Sequence, residues 1–157
     1  MLENPMELFA FESDFVATLR CIPMAVRFKL DQAGIKLSLR QWSRFSLEDR
    51  AELLRAPCAA AAEIAAYRRR LIDLIALRAG ETAKDIPPPD AEPWMQARAL
   101  PDALVEHAAK VGVAPPTIGQ WAQLSPLRRF TLLKLTRDNH DNVNFGPAMR
   151  EFGLAGA

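Results

Sequence analysis

Apolar residues recur along this chain at three- and four-residue intervals, the spacing that gives a helix one apolar face, and rarely at the two-residue interval of a half-buried strand. Val26, Leu30 and Ala33 follow that rhythm between Pro23 and Gly34. Proline suits a first helical turn because its missing N–H would be unpaired there anyway, and glycine suits a left-handed stop. Ser13 is placed to cap a short helix carrying Phe15, Val16 and Leu19, and Ser38 to open another around Trp42. Ser46, with Asp49 three positions on, has the form of a capping box, and Leu47, Ala51 and Leu54 share one face up to Pro57. The longest helical stretch, "CAAAAEIAAYRRRLIDLIALRA", runs from Cys58 to Ala79 and stops at Gly80. Its Ile64, Tyr67, Leu71, Leu74, Ile75 and Arg78 keep the amphipathic rhythm, and Ile72 and Leu77 widen the apolar stripe. That breadth predicts a central helix touched on more than one side.

The rhythm breaks at "GETAKDIPPPDAEPW", where Pro87 to Pro89 favour an extended segment and forbid a helix interior. The second half restarts at Pro101 with a helix to Lys110 and a stop at Gly112. The second Trp lies in Ile118 to Gln123, and Ser125-Pro126 starts a helix over "PLRRFTLLKLTR". Asp138 to Asn144 reads as a polar loop and Pro147 to Phe152 as a closing helix. Laid side by side, the halves agree beyond the shared Gln-Trp. Pro23 and Pro101 are 78 apart, as are Gly34 and Gly112, while Trp42 and Trp121 are 79 apart, as are Ser46 and Ser125. These matches predict two degenerate helix–turn–helix repeats, about 11–80 and 94–153, joined by a Pro-rich connector at about 81–93. A helix–turn–helix unit cannot bury its apolar face alone, and two can bury theirs together. The expected fold is therefore a single all-α domain over residues 1–157, with about six to eight helices and the two Trp residues in similar environments.

Composition changes this picture little. The chain has 20 basic and 19 acidic residues, a balance that gives no overall field for nucleic acid or an anionic membrane. No apolar run approaches a membrane span, and the early acids of "MLENPMELFAFESDF" do not fit a secretory signal. Cys21 and Cys58 are expected as reduced, small core residues of a cytoplasmic protein. Neither His107 nor His140 has a helical partner at metal-ligand spacing, and no Gly-rich phosphate loop is present, so no metal, cofactor or catalytic set is predicted. His107 is expected as an ordinary helix-face residue.

Two clusters remain for partner or ligand contact. Arg68, Arg69 and Arg70 form the densest positive run, either the solvated side of the long helix or a docking patch. Consecutive helical residues fan out by about 100° each, so all three cannot share one contact. The loop "TRDNHDNVNF" places Arg137, His140, Asn142 and Asn144 together. Their side chains either hold the loop's own backbone through Asx-type turns or face a partner or small anionic ligand.

The stretch from Phe11 to Trp42, above all "LRCIPM" (Leu19 to Met24) with "KLD" and "GIKL" following, resembles the nitrate-reductase-associated protein family. So do "SPLRRFTLLKLTR", His140, Asn142 and the pair Asn144-Phe145, whereas Ala83 to Ala99 contributes nothing. The resemblance implies a small cytosolic accessory protein of assimilatory nitrate reduction, which supports the molybdenum enzyme and assigns no catalytic residue. Its partner would be nitrate reductase or its maturation machinery. The alternative kept beside it is a carrier for a molybdenum-cofactor precursor or another anionic small molecule.

Overall fold

A computed structural model describes residues 8–12, 19–87, 89–137 and 143–154. The helix expected from Ser13 and the positions of His140 and Asn142 lie outside the described residues. The fold is all-α, as predicted, with eight α-helices among the described residues and one two-stranded ladder. The chain divides into two compact units, one built on Glu12–Asp90 and the other on Ala91–Ala157 with Phe9–Phe11.

In the first unit, α1 (Met24–Ala33) turns Val26, Lys29, Leu30 and Ala33 inward and stops at Gly34. Gly34 has φ 71°, and its N–H reaches the Leu30 and Asp31 carbonyls. A Cβ at this position would come within 3.1 Å of the Ile86 carbonyl oxygen, so glycine is favoured by space as well as by φ. The close approach arises because β1 (Ile35–Lys36) pairs antiparallel with β2 (Lys84–Asp85), Ile35 opposite Asp85. The Pro-rich stretch is thus tied to the helical core just before its prolines. A two-residue strand is too short to show any alternation, which is why the sequence gives no sign of it.

Next come α2 (Leu39–Arg44) and α3 (Leu47–Arg55), each opened by a complete capping box, Ser38 with Gln41 and Ser46 with Asp49. The buried side chains of α3 are Asp49 and Leu53. This corrects the expected face, because Leu47 is 56% exposed and Ala51 and Leu54 are only half-buried. The helix instead turns Leu53 into the core and Asp49 towards Arg78.

The long helix α4 spans Ala61–Leu74 and continues as a π-helical turn, Ile75–Ala79, to Gly80. It begins three residues later than predicted. The Glu63 carboxylate accepts the N–H groups of Ala59 and Ala60 and so fixes the start. Tyr67, Leu71, Leu74 and Ile75 are buried, whereas Ile72 is 38% and Leu77 69% exposed. Within its unit α4 is therefore covered on one face, not on several. Trp42 is fully buried, and its indole N–H donates to the Leu19 carbonyl at 2.7 Å. The Arg50 guanidinium lies 5.8 Å from the Trp42 ring centre and donates to the Trp42 carbonyl. Cys58 is buried as expected, but Cys21 is only half-buried.

The second unit holds α5 (Asp102–Lys110), α6 (Ile118–Gln123), α7 (Pro126–Lys134) and α8 (Phe145–Glu151). Thr117 with Gln120 caps α6, and Ser125 caps α7. Trp121 is fully buried and donates its indole N–H to the Gln96 carbonyl at 2.8 Å. Arg129 lies 6.0 Å from that ring centre and donates to the carbonyls of Trp94 and Leu124. At the other end, Glu151 accepts the N–H groups of Ala10 and Phe11, and Phe9 meets Phe152 edge-on at 5.1 Å. His107 lies on the inner face of α5, buried, with its ring 4.7 Å from Phe145.

Candidate functional site

The C-terminal end of α3 and the first half of α4 enclose an open cavity of about 390 Å³. Its floor and walls are Leu53, Ala56, Pro57, Ala62, Ala66 and Tyr67, and Glu52, Glu63 and Arg70 supply its polar lining. The shape follows from local sequence. Pro57 and the late start of α4 hold the chain away from the helix, and the alanines leave space where larger side chains would fill it.

Behind this wall lies Lys29, fully buried. Its ammonium donates to the carbonyls of Leu54 at 2.6 Å and Ala56 at 2.7 Å, groups left unpaired at the end of α3. The Tyr67 ring lies 5.9 Å from the ammonium, and the tyrosine hydroxyl donates to the Leu53 carbonyl. Burial pulls the Lys29 pKa down to about 8, against a smaller opposite influence from Cys58. The Cys58 thiol contacts the Lys29 carbonyl at 3.7 Å, and burial pushes its pKa up to about 11. Burial raises that of Tyr67 as well. At neutral pH the thiol and the phenol keep their protons, and the lysine is engaged by backbone oxygen rather than presented to the cavity.

An ion-pair cluster stands beside it. Arg70 grips Glu52 through two bonds of 2.8 and 3.0 Å, and Arg78 reaches Asp49 at 2.9 Å. Burial would raise the Asp49 pKa, but hydrogen bonds from Ser46 and Arg78 outweigh it and hold the carboxyl below its ordinary range. The same arginines fasten α4 and its π-helical turn to α3.

Of the residues expected to make contacts, Arg68 is taken up inside the unit. It donates to the carbonyls of Ala33 and Gly34 and pairs with Asp85, so it clamps the strand ladder to α4. Arg69 is exposed, one-third of a turn away. Arg137 is exposed, and Asn144 is half-buried at the start of α8, where its side chain makes no capping bond. The arginine run is thus divided among different tasks, Arg68 on the strand ladder and Arg70 on Glu52, with Arg69 exposed. Sequence reading missed Lys29 and the cavity. Lys29 had left a sign, because it falls on the same helical stripe as Val26, Leu30 and Ala33.

Among the described residues, no group of three or more His, Cys, Asp or Glu side chains is arranged to hold a metal ion. Nor is any helix among them long and apolar enough to cross a membrane.

Residues 8–152 match the family model described as conserved nitrate reductase-associated protein. The chain belongs to this family. The match spans both units, including the cavity walls and the Trp42 and Trp121 sites, so the nitrate reductase-associated family is defined on the whole helical framework. No curated protein and no solved structure matches the chain significantly.

Proposed function

We propose that the chain is a non-enzymatic accessory protein of assimilatory nitrate reduction, supporting the activity or maturation of nitrate reductase through protein–protein contact. The observation that carries this reading is the family match over residues 8–152. The chemistry of the buried groups agrees with it, because Lys29, Cys58 and Tyr67 serve to join helices. We assign the contact with the reductase or its maturation machinery to the end of the second unit. There Arg137 is exposed and Val143, beside Asn144, is 74% exposed. The carrier alternative gains nothing from the cavity, whose one lining cation, Arg70, is already bonded to Glu52, leaving Glu63 to repel an anionic cofactor precursor.

The test is deletion of the gene, with growth on nitrate and on ammonium compared and nitrate reductase assayed in extracts. Slow growth on nitrate alone, with low reductase activity restored by the wild-type gene, is the expected result. Equal activity and equal growth in the deletion strain would remove the proposal.

A further inference from the structure

The outer face of α4 carries an arrangement that the internal packing leaves unused. Successive residues on an α-helix are rotated by about 100°, so Ala62, Ala66, Arg69 and Asp73 lie opposite the buried stripe of Tyr67, Leu71 and Leu74, and Ala76 follows on the π-helical turn. All five are exposed. Their three- and four-residue spacing is that of a helix–helix seam, and the alanines permit close approach of a second helix. Leu77, 69% exposed, stands on the π-helical turn that continues the C-terminal end of α4. The apolar cavity, walled by Ala62 and Ala66, opens near its N-terminal end. Arg69 and Asp73 stand between them.

This order of features is self-complementary. A two-fold axis at the level of Leu71 places each position opposite the one equally far on the other side of 71. Asp73 then falls opposite Arg69, and Leu77 falls opposite position 65, beside Ala66 at the cavity mouth. The charges are opposite, and the apolar projection meets the apolar hollow.

We propose that the outer face of α4 pairs antiparallel with the same helix of a second copy of this chain. In that pairing Arg69 of each copy meets Asp73 of the other, and Leu77 of each enters the other's cavity. The interface is isologous, as a two-fold dimer requires. Asp73 also acts on Arg70, so the cross-copy pair extends the ion-pair cluster that holds α4 to α3. The proposal is independent of the assignment to nitrate reduction and uses a different surface from the one proposed above for the reductase.

Light scattering and sedimentation equilibrium of the full chain over a concentration series decide the matter, with far-UV circular dichroism to verify folding. The wild type is expected to be a dimer. Leu77→Asp and Ala66→Arg, both at exposed positions, are each expected to give folded monomers. Arg69→Asp is expected to weaken the dimer roughly tenfold by setting acid against acid. The double reversal Arg69→Asp with Asp73→Arg should restore it. A monomeric wild type, a dimer that persists in Leu77→Asp, or a double reversal no better than Arg69→Asp alone would overturn the proposal. A monomer that captures some other protein through this face counts against it equally.

Discussion

A lysine withdrawn from water must lose its proton or find oxygen to hold it, and Lys29 finds the last carbonyls of α3. Those bonds do not fully replace hydration, so its pKa falls to about 8 in the folded chain against 10.5 outside it. Between these values the unfolded chain binds a proton that the native one has released, and stability must rise with pH. Cys58 acts in the opposite sense. Its pKa is pushed from 9.0 up to about 11, so the native state keeps a proton the unfolded state has lost, and stability falls across that interval. The expected profile therefore climbs from about pH 8 to 9, levels while the two offset each other, and declines above about 10, where raised Tyr67 joins Cys58 in the fall. Cys58→Ala should prolong the climb towards pH 10, and Lys29→Met should abolish it. The full Lys29 contribution is on the order of 3 kcal/mol. Urea denaturation at half-unit pH steps reads it directly, and a wild-type profile falling steadily from pH 8 would contradict the assigned burial of this ammonium.

Among the elements, chain punctuation accounts for most of the helix ends. Gly34 and Gly112 both stand where a helix stops with positive φ, 71° and 74°. They differ in surroundings, since a Cβ on Gly112 would meet nothing within 4 Å, whereas one on Gly34 would crowd the Ile86 carbonyl. Gly112→Ala is expected to cost about 1 kcal/mol, the conformational strain alone. Gly34→Ala should cost clearly more, because it also presses on the junction of the strand ladder. Thermal or chemical denaturation of the two variants gives the comparison, and equal losses would show that the ladder yields freely. The proline, serine and glycine signals that mark helix ends were legible because each acts on backbone within a few residues of itself. The phase of α3 was not, because Leu53 and Asp49 turn inward to partners distant in sequence, the core and Arg78. The exposure of Ile72 and Leu77 was equally hidden, since periodicity identifies an apolar face without saying what covers it.

At the scale of the molecule, the all-α architecture was legible because local signals alone suffice for helices. The candidate site was not. A cavity exists only once Pro57, Ala62 and Tyr67 have been brought together, and Arg68 could be told from Arg69 only when its carbonyl partners took their places. The two units also follow a common local scheme. In each, a buried indole donates to a backbone carbonyl, an arginine lies about 6 Å from its ring, and a capping box starts the helix that carries it. If these are equivalent devices, replacing either indole should do equal damage. Trp42→Phe and Trp121→Phe each remove the donor to a carbonyl, Leu19 or Gln96, and leave a void where the larger ring had been. Loss of a buried hydrogen bond and the accompanying cavity together cost about 2–4 kcal/mol. Denaturation of both variants is expected to show losses in that range and within about 1 kcal/mol of each other. If one indole proved dispensable while the other did not, the likeness between the units would be a likeness of sequence spacing and not of the forces that hold them.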